Sequence, residues 1–299
     1  MPNDRSTKAA LDVGRKQARN VLKFREEASQ ERRKIIAERA LIPGVAPIAA
    51  AQVLVAEGDS WFDYPWTDVL RILEDTYLYD VESVAHKGDR IEDMAYSGGQ
   101  LEEFTRRLEK LLERNAIPRA ILLSGGGNDV AGPEFGMLLD HAQSAAPGLN
   151  QLVVQGVIER IRLAYITILS SITNVCAEHG HPNIPILVHG YDYPVPDGRG
   201  FLGGWGFLPG PWLEPGFREK GYIALAQRKQ LAKELIDRFN AMLATVPTIP
   251  QLSHVTYIDL RNTLSTGSGY KTWWANELHP TPKGFADVVA KFNAVLTTL

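Results

Sequence analysis

Five short apolar runs, separated by stretches of helical periodicity, constrain this chain more than any other feature. They are Val53–Ala56, Val81–Ala85, Ala120–Leu123, Ile186–His189 and Val255–Ile258, each short enough to read as a strand. Runs that are apolar at successive positions, without alternation, suit a parallel sheet covered on both faces. Between them lie helical faces: Leu101, Phe104, Leu108, Leu111 and Leu112; Val154, Ile158, Ile161, Tyr165, Ile168, Ile172 and Val175; Leu231, Leu235, Phe239, Met242 and Val246; and Phe285, Val288, Val289, Phe292 and Leu296. Strand and helix in alternation predict a doubly wound α/β domain with a five-stranded parallel sheet over residues 51–299. Such folds gather their functional groups where loops leave the carboxyl ends of the strands.

Four short motifs follow predicted strands, the first three directly and the fourth at a distance: Gly58-Asp59-Ser60, Ala85-His86-Lys87-Gly88-Asp89, Gly126-Gly127-Asn128-Asp129 and Glu277-Leu278-His279-Pro280. A serine hydroxyl is a poor nucleophile by itself. An imidazole within hydrogen-bond reach changes that, because it takes the proton as attack begins and returns it to the leaving group. Ser60 and His279 are the candidates for that pair. Ser60 is not set in Gly-x-Ser-x-Gly, which disfavours the nucleophile elbow of the α/β hydrolases. Gly88 lacks a Cβ and can bring a backbone N–H up to a reacting oxygen. Asn128 follows three glycines that let the chain bend its amide toward a pocket. No Lys-Ser or Lys-Thr follows those glycines, so a phosphate-binding loop is a poor reading.

In their order and spacing these motifs resemble the SGNH (GDSL) hydrolases, and the likeness spans roughly residues 52–299. The resemblance implies a serine esterase or lipase-like hydrolase on a flavodoxin-like sheet, with Ser60 as nucleophile and His279 as base. It also implies an oxyanion hole made of the Ser60 N–H, the Gly88 N–H and the Asn128 side chain, acting on a small ester without cofactor or metal. One position departs from the family pattern. Three residues before the histidine, where the family usually has an aspartate, this chain has Asn276. An amide oxygen can orient an imidazole but brings no charge. Asp192, after the fourth strand, is a candidate substitute acid, and Glu277 is expected to point elsewhere. Asp59, Asp89 and Asp129 are expected to support tight loops.

Two rival readings use the same sheet. One is an SGNH-like binding module that keeps the pocket and has lost turnover, motivated by the missing aspartate. The other is a nucleotide or flavin binder, which the aromatic stretch Trp61-Phe62-Asp63-Tyr64-Pro65-Trp66 after the first strand disfavours. The segment from Gly198 to Phe217, with Phe201, Trp205, Phe207, Leu208 and Trp212 among glycines and prolines, reads as an irregular loop over the site. Leu138 to Leu152 is expected to add a second wall.

Composition excludes several classes. A net charge of −3 and the absence of a basic stripe argue against nucleic-acid binding. The single cysteine, Cys176, excludes a disulfide framework or a cysteine zinc site and reads as a core residue. No run has the length of a membrane span. The charged N-terminus lacks the apolar stretch of a signal peptide, giving the expectation of a cytoplasmic protein. Residues 1–50 are expected to form a helical extension. Its thin apolar stripe suits packing on its own domain, a homo-oligomer contact or an anionic surface.

Overall fold

β1 (Val53–Glu57) sits with Leu54, Val55 and Ala56 fully inaccessible to solvent, as its unbroken apolar run requires. The computed structural model describes Lys34 and residues 52–97, 99–203 and 208–299; the expected N-terminal extension, and with it the oligomer contact, lies outside the described residues. β1 pairs on one side with β2 (Asp80–Ser83) and on the other with β3 (Ala120–Leu123), and β4 (Ile186–His189) and β5 (Val255–Ile258) follow outward from β3. All four pairings are parallel, with Leu54 opposite both Val81 and Ala120, Ile121 opposite Ile186, and Ile186 opposite Val255. The order β2-β1-β3-β4-β5 is the flavodoxin-like, doubly wound arrangement. The chain reverses its direction of travel at β1 and β3, which places the crevice beyond their carboxyl ends.

The helices are α1 (Val69–Asp75), α2 (Ile91–Tyr96), α3 (Gln100–Glu113), α4 (Gln151–Glu178), α5 (Glu214–Glu219), α6 (Leu225–Thr245) and α7 (Pro282–Leu296). α1 packs against α7, whereas α2, α3 and α4 pack together with α6 against α4. The periodic faces are the buried ones: Phe104 and Leu108 of α3, Ile161, Tyr165 and Ile168 of α4, Phe239 and Met242 of α6, and Phe285, Val288 and Phe292 of α7. Cys176 is buried in the same core, and burial pushes its thiol up to about 11, so it is an inert packing residue.

Two expectations need correction. The segment Gly198–Phe217 is not wholly irregular, because its end forms the start of α5. Pro215 suits the first turn of that helix, and a carboxylate from another loop caps it, as described below. Leu139 and Asp140 pair into a short ladder with Gly148–Leu149, and no residue from Leu138 to Leu152 lines the site. Instead Leu138, Leu139 and Leu149 join Phe135, Phe217, Tyr222 and Leu235 in a second apolar cluster.

Candidate active site

The carboxyl end of β1 runs through Gly58 and Asp59 into Ser60. Asp59 is buried and holds this turn from beneath: one oxygen accepts the Trp61 N–H at 3.0 Å and the Ser124 hydroxyl at 2.8 Å, and the other accepts the Tyr191 hydroxyl. The next loop, 86–89, is tied to the serine loop because Asp63 accepts the Lys87 N–H at 3.0 Å. Gly88 has φ +93°, and a Cβ there would meet open space. Its glycine is needed for the left-handed backbone, with room beside it for a bound oxygen.

The third loop follows β3. Gly126 has φ +96°, and a Cβ would come within 2.5 Å of the Phe239 ring, so α6 packs directly on the glycine backbone. Asn128 Nδ2 donates to the Asp89 carbonyl at 2.9 Å, which orients the amide and leaves its second N–H for the pocket. Asp129 accepts the N–H groups of Ile91 at 2.8 Å and Glu92 at 3.3 Å, capping α2. Burial pushes its carboxyl up to about 6 against those two bonds. Asp89 accepts from Gln100. All three aspartates therefore bind loops together.

His279 arrives from a tight loop closed by a bridge between Trp274 and Pro280, with Ala275 N–H donating to the His279 carbonyl at 2.9 Å. Immediately beyond, the Thr281 hydroxyl caps α7 through the Gly284 N–H, and Pro282 opens the helix. The loop is thus fixed at both ends. His279 Nε2 lies 2.7 Å from Ser60 Oγ, and Nδ1 lies 3.0 Å from Asn276 Oδ1. The same Oδ1 accepts the backbone N–H groups of Leu278 at 3.0 Å and His279 at 2.9 Å. Two fixed donors require an oxygen at that position, so the amide orientation is settled by its network. Nδ1 must then carry the proton, leaving the Nε2 lone pair facing the serine hydroxyl.

Tyr64 stacks on the imidazole at 4.4 Å between ring centres, and its hydroxyl accepts from Asn276 Nδ2 at 3.1 Å. Trp212 meets the ring edge-on at 5.3 Å. Enclosed in this way and without a charged partner, the ring is hard to protonate, and burial lowers its pKa from 6.5 to about 3.

Asp192 does not reach the histidine. One of its oxygens accepts the N–H groups of Tyr193 at 2.7 Å and Asn262 at 2.9 Å, and the other accepts Leu264 N–H at 2.6 Å. It fastens the loops after β4 and β5 to each other, so its role as substitute acid is corrected to a structural one.

Glu277 does point away from the imidazole, and to a purpose that sequence patterns do not reveal. Fully buried, it accepts four backbone N–H groups: Gly198 at 3.0 Å, Glu214 at 3.0 Å, Trp212 at 2.7 Å and Leu213 at 2.8 Å. The last three belong to the start of α5, whose own N-cap side chain makes no bond. The glutamate thereby clamps the aromatic segment to the histidine loop. Burial still holds its carboxyl above the usual range, with the four N–H groups pulling the other way. Arg199 adds a second latch by donating to the Trp274 and Ala275 carbonyls at 3.0 and 2.9 Å.

Ser60, Gly88, Asn128 and His279 open onto a pocket of about 430 Å³ walled by Tyr64, Phe201, Leu208 and Trp212. Trp205 and Phe207 of the same segment lie outside the described residues. Trp66, 68% exposed, stacks on Phe201 at 5.9 Å at the aromatic rim. Among the described residues no three His, Cys, Asp or Glu side chains are grouped to hold a metal ion, and no helix is long and apolar enough to cross a membrane.

No protein-family model matches the chain, and no curated protein matches it. Solved structures do. A catalytic mutant of an acetylxylan esterase from Geobacillus stearothermophilus is 14% identical, with a TM-score of 0.45 over 83% of this chain and 95% of that one. A carbohydrate esterase family 3 protein from Talaromyces cellulolyticus is 11% identical, with a TM-score of 0.41 over 83% and 97%. An α/β hydrolase enzyme from the metagenome of Lake Arreo, Spain, is 13% identical, with a TM-score of 0.40 over 84% and 97%. The chain resembles the SGNH hydrolases in its five-stranded α/β sheet and in the order of its serine, glycine, asparagine and histidine motifs.

Proposed function

We propose that this protein is a serine hydrolase that cleaves carboxylic esters through an acyl-enzyme. The observation that carries the reading is the 2.7 Å approach of Ser60 Oγ to an imidazole nitrogen whose lone pair is free to accept the proton. Ser60 Oγ attacks the ester carbonyl carbon while His279 Nε2 takes the hydroxyl proton. The carbonyl oxygen becomes an oxyanion held by the N–H groups of Ser60 and Gly88 and by the Asn128 amide. As the tetrahedral species collapses, the carbon–oxygen bond to the alcohol breaks and His279 returns its proton to the departing alkoxide. A water molecule then gives a proton to His279 and its oxygen to the acyl carbon, Ser60 recovers the proton, and the carboxylic acid leaves. Asn276 orients the imidazole throughout and holds its tautomer.

The neutral Asn276 motivates a second reading, a pocket that binds esters or related ligands without turnover. Reaction with a fluorophosphonate separates the two. The hydrolase reading expects covalent labelling of wild-type protein, none of Ser60→Ala, and hydrolysis of p-nitrophenyl esters by the wild type alone. An inert Ser60 in folded protein would sink it and favour the binder.

A further inference from the structure

Ser60, Asn128 and His279 line two pockets at once. Besides the outer aromatic pocket there is an inner one of about 60 Å³, walled by Val130, Phe135, Leu213, Ala232, Leu235 and Ile236. We propose that the inner pocket is the acyl chamber, and that the protein takes esters of short unbranched carboxylic acids, of about three to five carbons, leaving the alcohol in the outer pocket. The inference rests on the ester-hydrolase reading and adds the substrate class.

Three observations carry it. First, attack on an ester carbonyl leaves two substituents diverging from one carbon, and here two pockets diverge from one serine. The alcohol must depart and water must enter between the two half-reactions, while the acyl group stays attached. The open, aromatic-rimmed pocket suits the group that leaves, and the small inner one suits the group that stays.

Second, the inner lining is apolar where a chain would lie. Ala232, Leu235 and Ile236 stand at i, i+3 and i+4 on α6 and present one face. Asp59, Tyr191 and Asp192 also border the chamber, but they are engaged with one another or with backbone N–H groups. An alkyl tail therefore displaces no needed hydrogen bond among these three.

Third, size sets the length. A volume of 60 Å³ corresponds to about four to six water-sized spheres, room for a tail of about two to four carbons beyond the carbonyl. Ala232 and Leu235 both line the chamber, one small and one large, so its volume can be changed in either sense at these two positions.

The test is kcat/KM for p-nitrophenyl esters from acetate to octanoate, measured on the wild type, Ala232→Leu and Leu235→Ala, with thermal melts to establish folding. The wild type should gain about fourfold per added methylene up to butanoate or pentanoate and fall at least about tenfold by octanoate. Ala232→Leu should move the optimum to acetate, and Leu235→Ala should move it to hexanoate or beyond. The two variants change volume in opposite senses, so if one fails to fold the other decides. A wild-type profile that is flat, or that keeps rising to octanoate, overturns the chamber, as does an unchanged optimum in a folded variant. Cleavage of esters with such a profile removes the chamber alone. Absence of both ester cleavage and fluorophosphonate labelling removes the hydrolase reading and the chamber with it.

Discussion

Replacing Asn276 by aspartate should make the imidazole a stronger base and the protein a faster enzyme. The substitution is nearly isosteric, and the site can receive it. Oδ1 already accepts three N–H groups, and the Tyr64 hydroxyl, which now accepts from Nδ2, can turn to donate to a carboxylate oxygen. With the charge centres about 4 Å apart and an effective dielectric constant of about 20, a carboxylate would stabilise the imidazolium by about 4 kcal/mol. That is about three pKa units, enough to lift His279 from about 3 to about 6. A half-transferred proton would feel about half of it, ~2 kcal/mol or about thirtyfold in rate. The assay is kcat/KM for ester hydrolysis from pH 4 to 9, which reports the free enzyme. The wild type should be flat above pH 5, whereas Asn276→Asp should show an acid limb near pH 6 and a plateau about thirtyfold higher. A folded variant with no new limb and no gain would refute the argument that a neutral partner and burial set the basicity of this histidine.

Glu277→Gln should remove the clamp on the aromatic segment. An amide offers one acceptor oxygen where four N–H groups converge, so at least two lose their partner. The expected loss of stability is about 2–6 kcal/mol, with a raised KM as the pocket wall loosens; a variant with unchanged melting temperature and KM would show that the clamp holds nothing. Glu57, buried at the end of β1, has one oxygen without a partner and a carboxyl pushed up to about 8 by burial. The native state then keeps a proton that the unfolded chain releases above about pH 4.5, so stability falls as pH rises from there to about 8, by up to about 1.4 kcal/mol per unit. Glu57→Gln should cancel that slope, and urea denaturation at pH 5 and pH 8 should show the variant gaining on the wild type at the higher pH; an equal gap at both pH values would mean that Glu57 is ionised in the native protein.

What the sequence made legible was whatever repeats over several residues. The third and fourth strands coincide with their apolar runs, because a strand covered on both faces cannot carry a polar position without cost, and the half-buried fifth strand at the sheet edge coincides with its run as well. The second strand is shifted to Asp80–Ser83, where only the edge of the sheet is formed and burial is partial. Helices α1, α2 and α5, of six or seven residues each, are too short to show a period along the sequence. In the candidate site, Ser60, Gly88 and Asn128 were legible because each is a particular residue type just beyond a strand end, and His279 because it stands in a short motif just before the last helix. The stacking of Tyr64 on the imidazole and the four-donor role of Glu277 were not, since a ring stacked from another loop and backbone N–H groups that converge from a distance leave no pattern along the chain.

Asn276 and Glu277 are neighbours, yet the charged member of the pair faces away from the reaction. The carboxylate is given to four peptide N–H groups, which can neutralise it locally, and the neutral amide is given to the imidazole. The histidine loop therefore separates two tasks that one aspartate beside His279 could not perform: holding the pocket wall and tuning the base. With the charge spent on the wall, the base is weak but remains unprotonated down to about pH 3. Under the proposed mechanism this arrangement would exchange peak basicity for a general base that stays available in acid, and the pH profile of Asn276→Asp tests that exchange.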